Sequence, residues 1–210
     1  IINGTERVIV SQLIRSAGVF FSAETVGGHN YYGAKVIPGR GAWLEFETDT
    51  KGVIYVKIDR RKKVPVTTLL RALGRKKSQI LDDFKEIDNG DIHYIENTLE
   101  KDPSSNPCEA ALEIYRRLRP GDLATVENAK NMIDRTFHDY RRYDYSRVGR
   151  YKINQRLGFD TPNDEVHRTL QMEDLVAIIS EIIRLNNTQD PADDIDSLAN
   201  RRVNLVGELV

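Results

Sequence analysis

The chain has 210 residues, enough for one large domain or two small ones with a real buried core. It is 40% hydrophobic and 30% charged with a formal net charge of −1, which excludes a globally basic nucleic-acid binder, and no apolar run approaches the ~18 residues of a membrane helix. A single cysteine, Cys108, excludes an internal disulfide framework and fits a reducing compartment, and four scattered histidines give no metal-ligand spacing.

The chain begins at Ile1 without a Met, and Asn3-Gly4 reads as a turn running into a strand, as expected of a piece cut from a larger protein. Val8-Ile9-Val10, Val19-Phe20-Phe21, Tyr31 to Ile37, Trp43 to Thr48 and Val53 to Ile58 are rich in Val, Ile, Tyr and Phe and predict strands. Gly27-Gly28, Pro38-Gly39-Arg40-Gly41 and Lys51-Gly52 separate them as turns. Arg7, Gln12 and Arg15 punctuate the first apolar run with hydrogen-bond donors, which suits a surface that reads a ligand. From Val66 the pattern turns helical. Thr67 to Leu73 ends at Gly74, a C-terminal glycine cap, and Ser78 to Phe84 follows. Residues 87–107 are polar, acidic and poorly periodic, and read as short elements and loops. Asn106-Pro107-Cys108-Glu109 combines an N-cap, a proline at the first helical position and a capping-box acid, and Pro120-Gly121 stops that helix. Thr125 caps the next helix, Val148 to Leu157 forms a third closed by Gly158, and Met172 to Leu185 carries the clearest apolar stripe. The fold class expected is mixed α+β: a β-rich part over residues 1–65 and a mainly helical part over 66–210.

Near-neutrality hides segregated charge. Lys57 to Lys63 holds five bases against one acid. Asp82 to Glu109 reverses this, with nine acids against Lys85 and Lys101. Arg116, Arg117, Arg119, Arg135, Arg141, Arg142, Arg147, Arg150 and Arg156 then crowd the middle. A basic face with an acidic back suits a polyanion while the total stays near zero.

Asp193-Asp194-Ile195-Asp196 is the densest carboxylate motif and the one candidate for magnesium. No phosphate loop and no Ser/His/Asp arrangement accompanies it, and Asn200, Arg201 and Arg202 nearby favour salt bridges instead. Trp43, following Arg40-Gly41, is either core or a platform on which a base stacks. Arg60, Arg119 and Arg142 sit at element ends, where donors project freely, although Arg119 at a helix end is equally explained by the helix dipole.

Asn3-Gly4-Thr5-Glu6-Arg7-Val8-Ile9-Val10-Ser11-Gln12-Leu13 and Asp193-Asp194-Ile195-Asp196-Ser197-Leu198-Ala199-Asn200-Arg201-Arg202-Val203 closely resemble the bacterial RNA polymerase β subunit. Between them Gly41-Ala42-Trp43-Leu44-Glu45-Phe46, Ile58-Asp59-Arg60-Arg61-Lys62-Lys63, Arg117-Leu118-Arg119-Pro120-Gly121-Asp122, Arg142-Tyr143-Asp144 and Val148-Gly149-Arg150-Tyr151-Lys152 follow in the family's order. The resemblance implies a single lobe, or β2, domain over residues 1–210, inserted in the protrusion. It implies a nucleotidyltransferase subunit, with no catalytic residue in this piece and the catalytic Mg2+ bound elsewhere in the polymerase. It implies a cytoplasmic, nucleoid-associated setting. The partners implied are the downstream duplex and non-template strand of DNA, the β′, α and ω subunits and a sigma factor. Carried over by residue, the non-template pocket resembles Arg15, Trp43, Asp59, Arg60, Arg119, Arg142, Asp196 and Arg201. Trp43 would stack on an unpaired base, and Asp196 would accept from N1 and N2 of a flipped guanine. Arg7, Val10 and Gln12 resemble the edge of the family's rifamycin pocket. The alternative is a docking surface for a transcription regulator on the acidic stretch 82–109.

Ala17, Gly39, Ala199 and Asn204 depart from the family, where proline, tyrosine, glycine and arginine are usual. Ala199 is expected to matter most, because a glycine there would signal a backbone angle alanine disfavours.

Overall fold

The computed structural model describes residues 3–209, so Ile1, Ile2 and Val210 and any expectation that falls on them lie outside it. The chain divides into two compact units. One is formed by its two ends, up to residue 16 and from residue 194; the other is residues 17–193.

In the unit of residues 17–193, five strands form an antiparallel sheet in the order β2 (Gly18–Val26), β3 (His29–Ile37), β4 (Leu44–Thr48), β5 (Ile54–Ile58) and β6 (Val64–Pro65). Alternation sets which side is buried. Leu44, Phe46, Ile54, Val56 and Ile58 are buried, while Glu45, Glu47, Tyr55 and Lys57 between them are half-buried on the other face. There Lys57 pairs diagonally across the ladder with Glu47. Gly33 is required by packing: a Cβ at that point of β3 would lie 2.2 Å from the Phe46 carbonyl oxygen of β4.

Helices pack against the sheet and against one another. They are α1 (Val66–Ala72), α2 (Lys77–Phe84), α3 (Tyr94–Lys101), α4 (Pro107–Leu118), α5 (Val126–Phe137), α6 (Ser146–Leu157) and α7 (Met172–Thr188). α7 packs on β3, α6 on β2, and α1 and α3 on β5. The stripe Leu175, Ile178, Ile179, Ile182, Ile183 and Leu185 of α7 is buried. α7 runs three residues past the predicted Leu185. Asn186 is buried there and its Oδ1 accepts from Tyr32 N at 3.1 Å, and Gln189 ends the helix in a left-handed conformation. Capping follows prediction at two helices. Glu109 N donates to Asn106 Oδ1 at 2.9 Å, and Asn128 N donates to Thr125 Oγ1 at 3.2 Å. Glu109 itself reaches back one residue further than a capping box, accepting from Ser105 N at 2.9 Å.

The acidic stretch is structured. Asp88 accepts from the amides of Tyr94 and Ile95 at 2.8 and 2.9 Å and so starts α3. Asp102, fully buried at its end, takes hydrogen bonds from Thr67 Oγ1, Thr68 Oγ1 and Ser104 N at 2.8–2.9 Å.

In the second unit, β1 (Gln12–Arg15) pairs antiparallel with β7 (Arg201–Asn204), a 3₁₀ turn spans Leu198–Asn200, and α8 (Val206–Leu209) is one turn. The strand predicted at Val8-Ile9-Val10 does not form. Those residues have no ladder partner, and Val8 and Val10 are 88% and 72% exposed. Ala199 lies in the 3₁₀ turn and is not among the residues of positive φ, so no glycine is demanded at that position.

Candidate nucleic-acid interface

Two segments far apart in sequence meet at Trp43. The Pro38 to Gly41 turn before β4 is bridged to the loop after α5: Arg40 N donates to Asp144 O at 3.0 Å, and Asp144 N to Arg40 O at 2.9 Å. Gly41 adopts φ +118°, and a Cβ there would lie 2.8 Å from the Arg142 carbonyl oxygen, so glycine lets the Trp43 segment close onto the Arg142 segment.

The other side of Trp43 is built by the turn after β5. Asp59 and Arg60 both hold left-handed backbone, φ +51° and +58°. Arg61 N donates to Ile58 O at 3.0 Å, closing a two-residue turn with the dihedral signs of type I′. Asp59 N donates to Trp43 O at 2.8 Å, and the Arg60 guanidinium carbon stands 5.1 Å from the Trp43 ring centroid. Each left-handed non-glycine residue costs on the order of 1 kcal/mol. Trp43 is half-buried, Asp59 and Arg60 are exposed. The arrangement is a half-buried aromatic ring with a cation over it, flanked by a basic turn.

Arg119 and Arg142 are exposed and only loosely paired, to Asp122 and Asp139 at 3.8 Å each. Arg119 is also the C-cap of α4, so the dipole explanation of its position holds alongside any contact role. Several other central arginines do not belong to a basic face. Arg150 is wholly buried on Asp174, with two hydrogen bonds of 2.7 Å. Arg156 is tied to Glu181 and Asp193 at 3.1 Å, and Arg117 to Glu113 at 2.7 Å. Periodicity alone shows Arg150 no differently from its exposed neighbours. The one local sign is its place beside Gly149 and three residues before Ile153, which share the buried face of α6. Of the acids in 82–109, Asp83, Asp88, Asp102 and Glu109 are used by internal bonds, which leaves Asp82, Glu86, Asp91, Glu96 and Glu100 as the exposed remainder.

In the unit of the two chain ends, Arg15 and Arg201 are register partners across the β1–β7 ladder. Arg201 Nη2 donates to Asp196 Oδ1 at 2.7 Å, while the Asp196 side chain stays 84% exposed. Its second oxygen is therefore open to an incoming donor pair. Asp194 shapes the turn beneath, accepting from Asp196 N and Ser197 N at 3.0 and 3.2 Å. Asp193 belongs to the other unit, where it takes Phe21 N at 2.9 Å and Arg156. The carboxylates of this motif thus have separate structural partners, and no cluster of three or more potential metal ligands occurs among the described residues. Arg7 and Val10 lie exposed in the irregular segment ahead of β1, and Gln12 opens β1 opposite Asn204.

Comparison with known proteins agrees with the resemblance read from the motifs. Residues 15–204 match the family described as RNA polymerase Rpb2, domain 2. Similar proteins include a DNA-directed RNA polymerase subunit beta from Dehalococcoides mccartyi, 50% identical over 217 residues, and one from Syntrophomonas wolfei, 47% identical over 211 residues. Each match covers 100% of this chain and 17–18% of the relative. A third, from Chloroflexus aggregans, is 45% identical over 240 residues, covering 99% of this chain and 20% of that subunit. The chain thus spans about a fifth of the length of the curated relatives it matches. With a family match over most of its length and these identities, the chain belongs to the RNA polymerase Rpb2 domain 2 family.

Proposed function

We propose that the chain is the lobe of a bacterial RNA polymerase β subunit, a nucleotidyltransferase subunit working in the cytoplasm with the other polymerase subunits. Its task is to hold the non-template strand as DNA enters, without chemistry of its own. The observation that carries this reading is the Arg60–Trp43 pair, a cation 5.1 Å from an aromatic face, held by a turn with two left-handed residues. A strained turn beside a half-buried aromatic is difficult to explain by stability and natural for a stacking platform. Arg142 on the adjoining segment and Arg119 supply donors for phosphates. In its own unit, Asp196 with one open carboxylate oxygen beside Arg201 suits the N1 and N2 donors of guanine. The shared class with its relatives' printed name, a DNA-directed polymerase subunit, supports the same ligand.

Titration of the chain against labelled single-stranded DNA over a range of salt tests this. Stacking on Trp43 is worth ~1–3 kcal/mol per base, so Trp43→Ala is expected to weaken binding about tenfold, with Asp196→Ala removing a preference for guanine-containing strands. Salt-independent binding, or full affinity after Trp43→Ala, would sink the reading.

A further inference from the structure

The face of the sheet that bears Glu45, Glu47, Tyr55 and Lys57 is hollowed toward the end of β4 away from Trp43. Tyr31, Gly33 and Lys35 of β3 share this face by alternation, and Gly33, which has no side chain, leaves a dip between its two neighbours. A cavity of about 130 Å³ lies over the dip, and one of about 220 Å³ adjoins it toward the β4–β5 turn. The two share Glu24, Tyr31, Glu47 and Thr48 in their walls, so they form one groove across β2, β3 and β4 that reaches Tyr55 of β5.

The groove suits positive charge. Glu24 and Tyr31 are register partners across β2 and β3, and Glu47 and Tyr55 across β4 and β5, so each phenol ring has a carboxylate directly opposite. Glu47 is answered by Lys57, and Asp49 takes the amides of Lys51 and Val53 at 2.9 Å in the turn. Glu24 is exposed and has no hydrogen-bond or ion-pair partner among the described residues. Burial, and after it the charge of Asp49, holds the Tyr55 phenol above its ordinary value. A cation already sits here: the Lys63 ammonium stands 4.4 Å from the Tyr55 ring centroid, and Arg117 Nη1 anchors the Lys63 backbone by donating to its carbonyl at 3.0 Å. Tyr31 meets the ring of His29, 5.0 Å between centroids at 70°, and no side-chain cation stands over it among the described residues. Tyr31 and Glu24 thus repeat the ring-and-carboxylate pairing of Tyr55 and Glu47. Acid continues beyond the groove: Asn97 Nδ2 donates to Lys51 O at 3.3 Å, which sets α3, with exposed Glu96 and Glu100, against the β4–β5 turn.

We infer that this groove is a docking site for a basic segment of a partner protein, with an arginine side chain laid on Tyr31 and held by the Glu24 carboxylate. A guanidinium suits both groups, because it stacks on aromatic faces and meets a carboxylate with two parallel donors. The inference is independent of the single-strand reading, which uses none of these residues. The probe is a fluorescein-labelled hexa-arginine peptide, titrated by anisotropy with the 210-residue chain. Glu24→Gln and Tyr31→Ala are each expected to weaken binding about fivefold, and Tyr31→Phe, which keeps the ring, to retain affinity. Glu127→Gln, the same loss of charge at an exposed position of α5, is expected to leave affinity unchanged. Lys63→Ala is expected to tighten binding about threefold by freeing the Tyr55 ring, and by more than Lys62→Ala, which removes the same charge beside it. Equal losses with Glu24→Gln and Glu127→Gln, or equal gains with Lys62→Ala and Lys63→Ala, would overturn the site in favour of diffuse charge attraction. Equal affinity for hexalysine would overturn the guanidinium seat. A dimer in sedimentation equilibrium that Glu24→Gln dissolves would overturn the partner in favour of a second copy of this chain.

Discussion

Arg150 is the largest fully buried side chain described, and its charge is answered by Asp174. The guanidinium also donates through Nε to Asn154 Oδ1 at 2.9 Å and through Nη1 to His167 O at 3.3 Å, and lies 5.6 Å from the Tyr145 ring centroid. Burial raises the Asp174 carboxyl above its ordinary range, and the hydrogen bonds and charge of Arg150 pull it back only in part. The desolvation cost is thus not fully offset by the pair. Such a pair contributes little net stability, yet removing one member leaves a buried charge and costs ~3–5 kcal/mol. For a unit of this size that is a fall in Tm of roughly 6–20 °C.

The two single variants differ in a way that tests the cause. Arg150→Met leaves a carboxylate, which escapes its burial by taking a proton. Its folded pKa rises further above the unfolded value, so the folded state binds more protons and stability is regained as pH falls. Asp174→Asn leaves a guanidinium, which cannot lose its proton. Urea unfolding, followed by Trp43 fluorescence and far-UV circular dichroism, should therefore show the Arg150→Met deficit shrinking as pH falls toward the unfolded carboxylate value of 3.8, while the Asp174→Asn deficit does not shrink in the same way. Arg150→Met with Asp174→Leu should recover most of the loss, with a coupling of at least ~2 kcal/mol in the cycle. Single deficits under ~1 kcal/mol, or strict additivity of the double variant, would refute the reasoning.

Asp59→Gly should stabilise the chain by about 0.5 kcal/mol, because relief of a left-handed backbone exceeds the entropy glycine adds to the unfolded chain, and the same unfolding assay reads it. Burial would raise Glu181, but hydrogen bonds and charge from Arg184 and Arg156 outweigh it and hold the carboxyl below its usual range. Its stabilising contribution is therefore complete above the unfolded value of 4.5 and is lost as pH falls through the lowered folded value. Glu181→Gln should flatten the acid limb of a Tm-against-pH curve, and an unchanged limb would refute the assignment.

The strand and helix pattern was largely legible because the deciding signals are local. Alternation in Leu44 to Thr48 and Ile54 to Ile58 marks a sheet with one buried face, and Gly158 ends α6 in the left-handed conformation that glycine favours. What escaped depends on distant partners. Val8-Ile9-Val10 has strand composition, but a strand needs a ladder, and β7 reaches only Gln12 to Arg15. The acidic stretch looked aperiodic because α3 is fixed by carboxylates outside it: Asp88 six residues ahead of Tyr94, and Asp102 bonded back to α1. Arg150 read as one more surface base because its partner Asp174 lies 24 residues on.

The turn beside Trp43 carries a weaker sequence signal than its geometry. A two-residue left-handed turn is normally announced by Asn-Gly or Asp-Gly, and Asp59-Arg60 carries only half of that signal. Glycine in place of Arg60 would relax the backbone and delete the cation over the ring. The chain keeps arginine in the costly conformation, and two backbone bonds, Asp59 N to Trp43 O and Arg61 N to Ile58 O, hold it there. The strain is therefore coupled to the one geometry in which Arg60 covers Trp43. Stability and single-strand affinity should move in opposite directions at Arg60, whereas a turn retained for folding alone would move them together or move only the first.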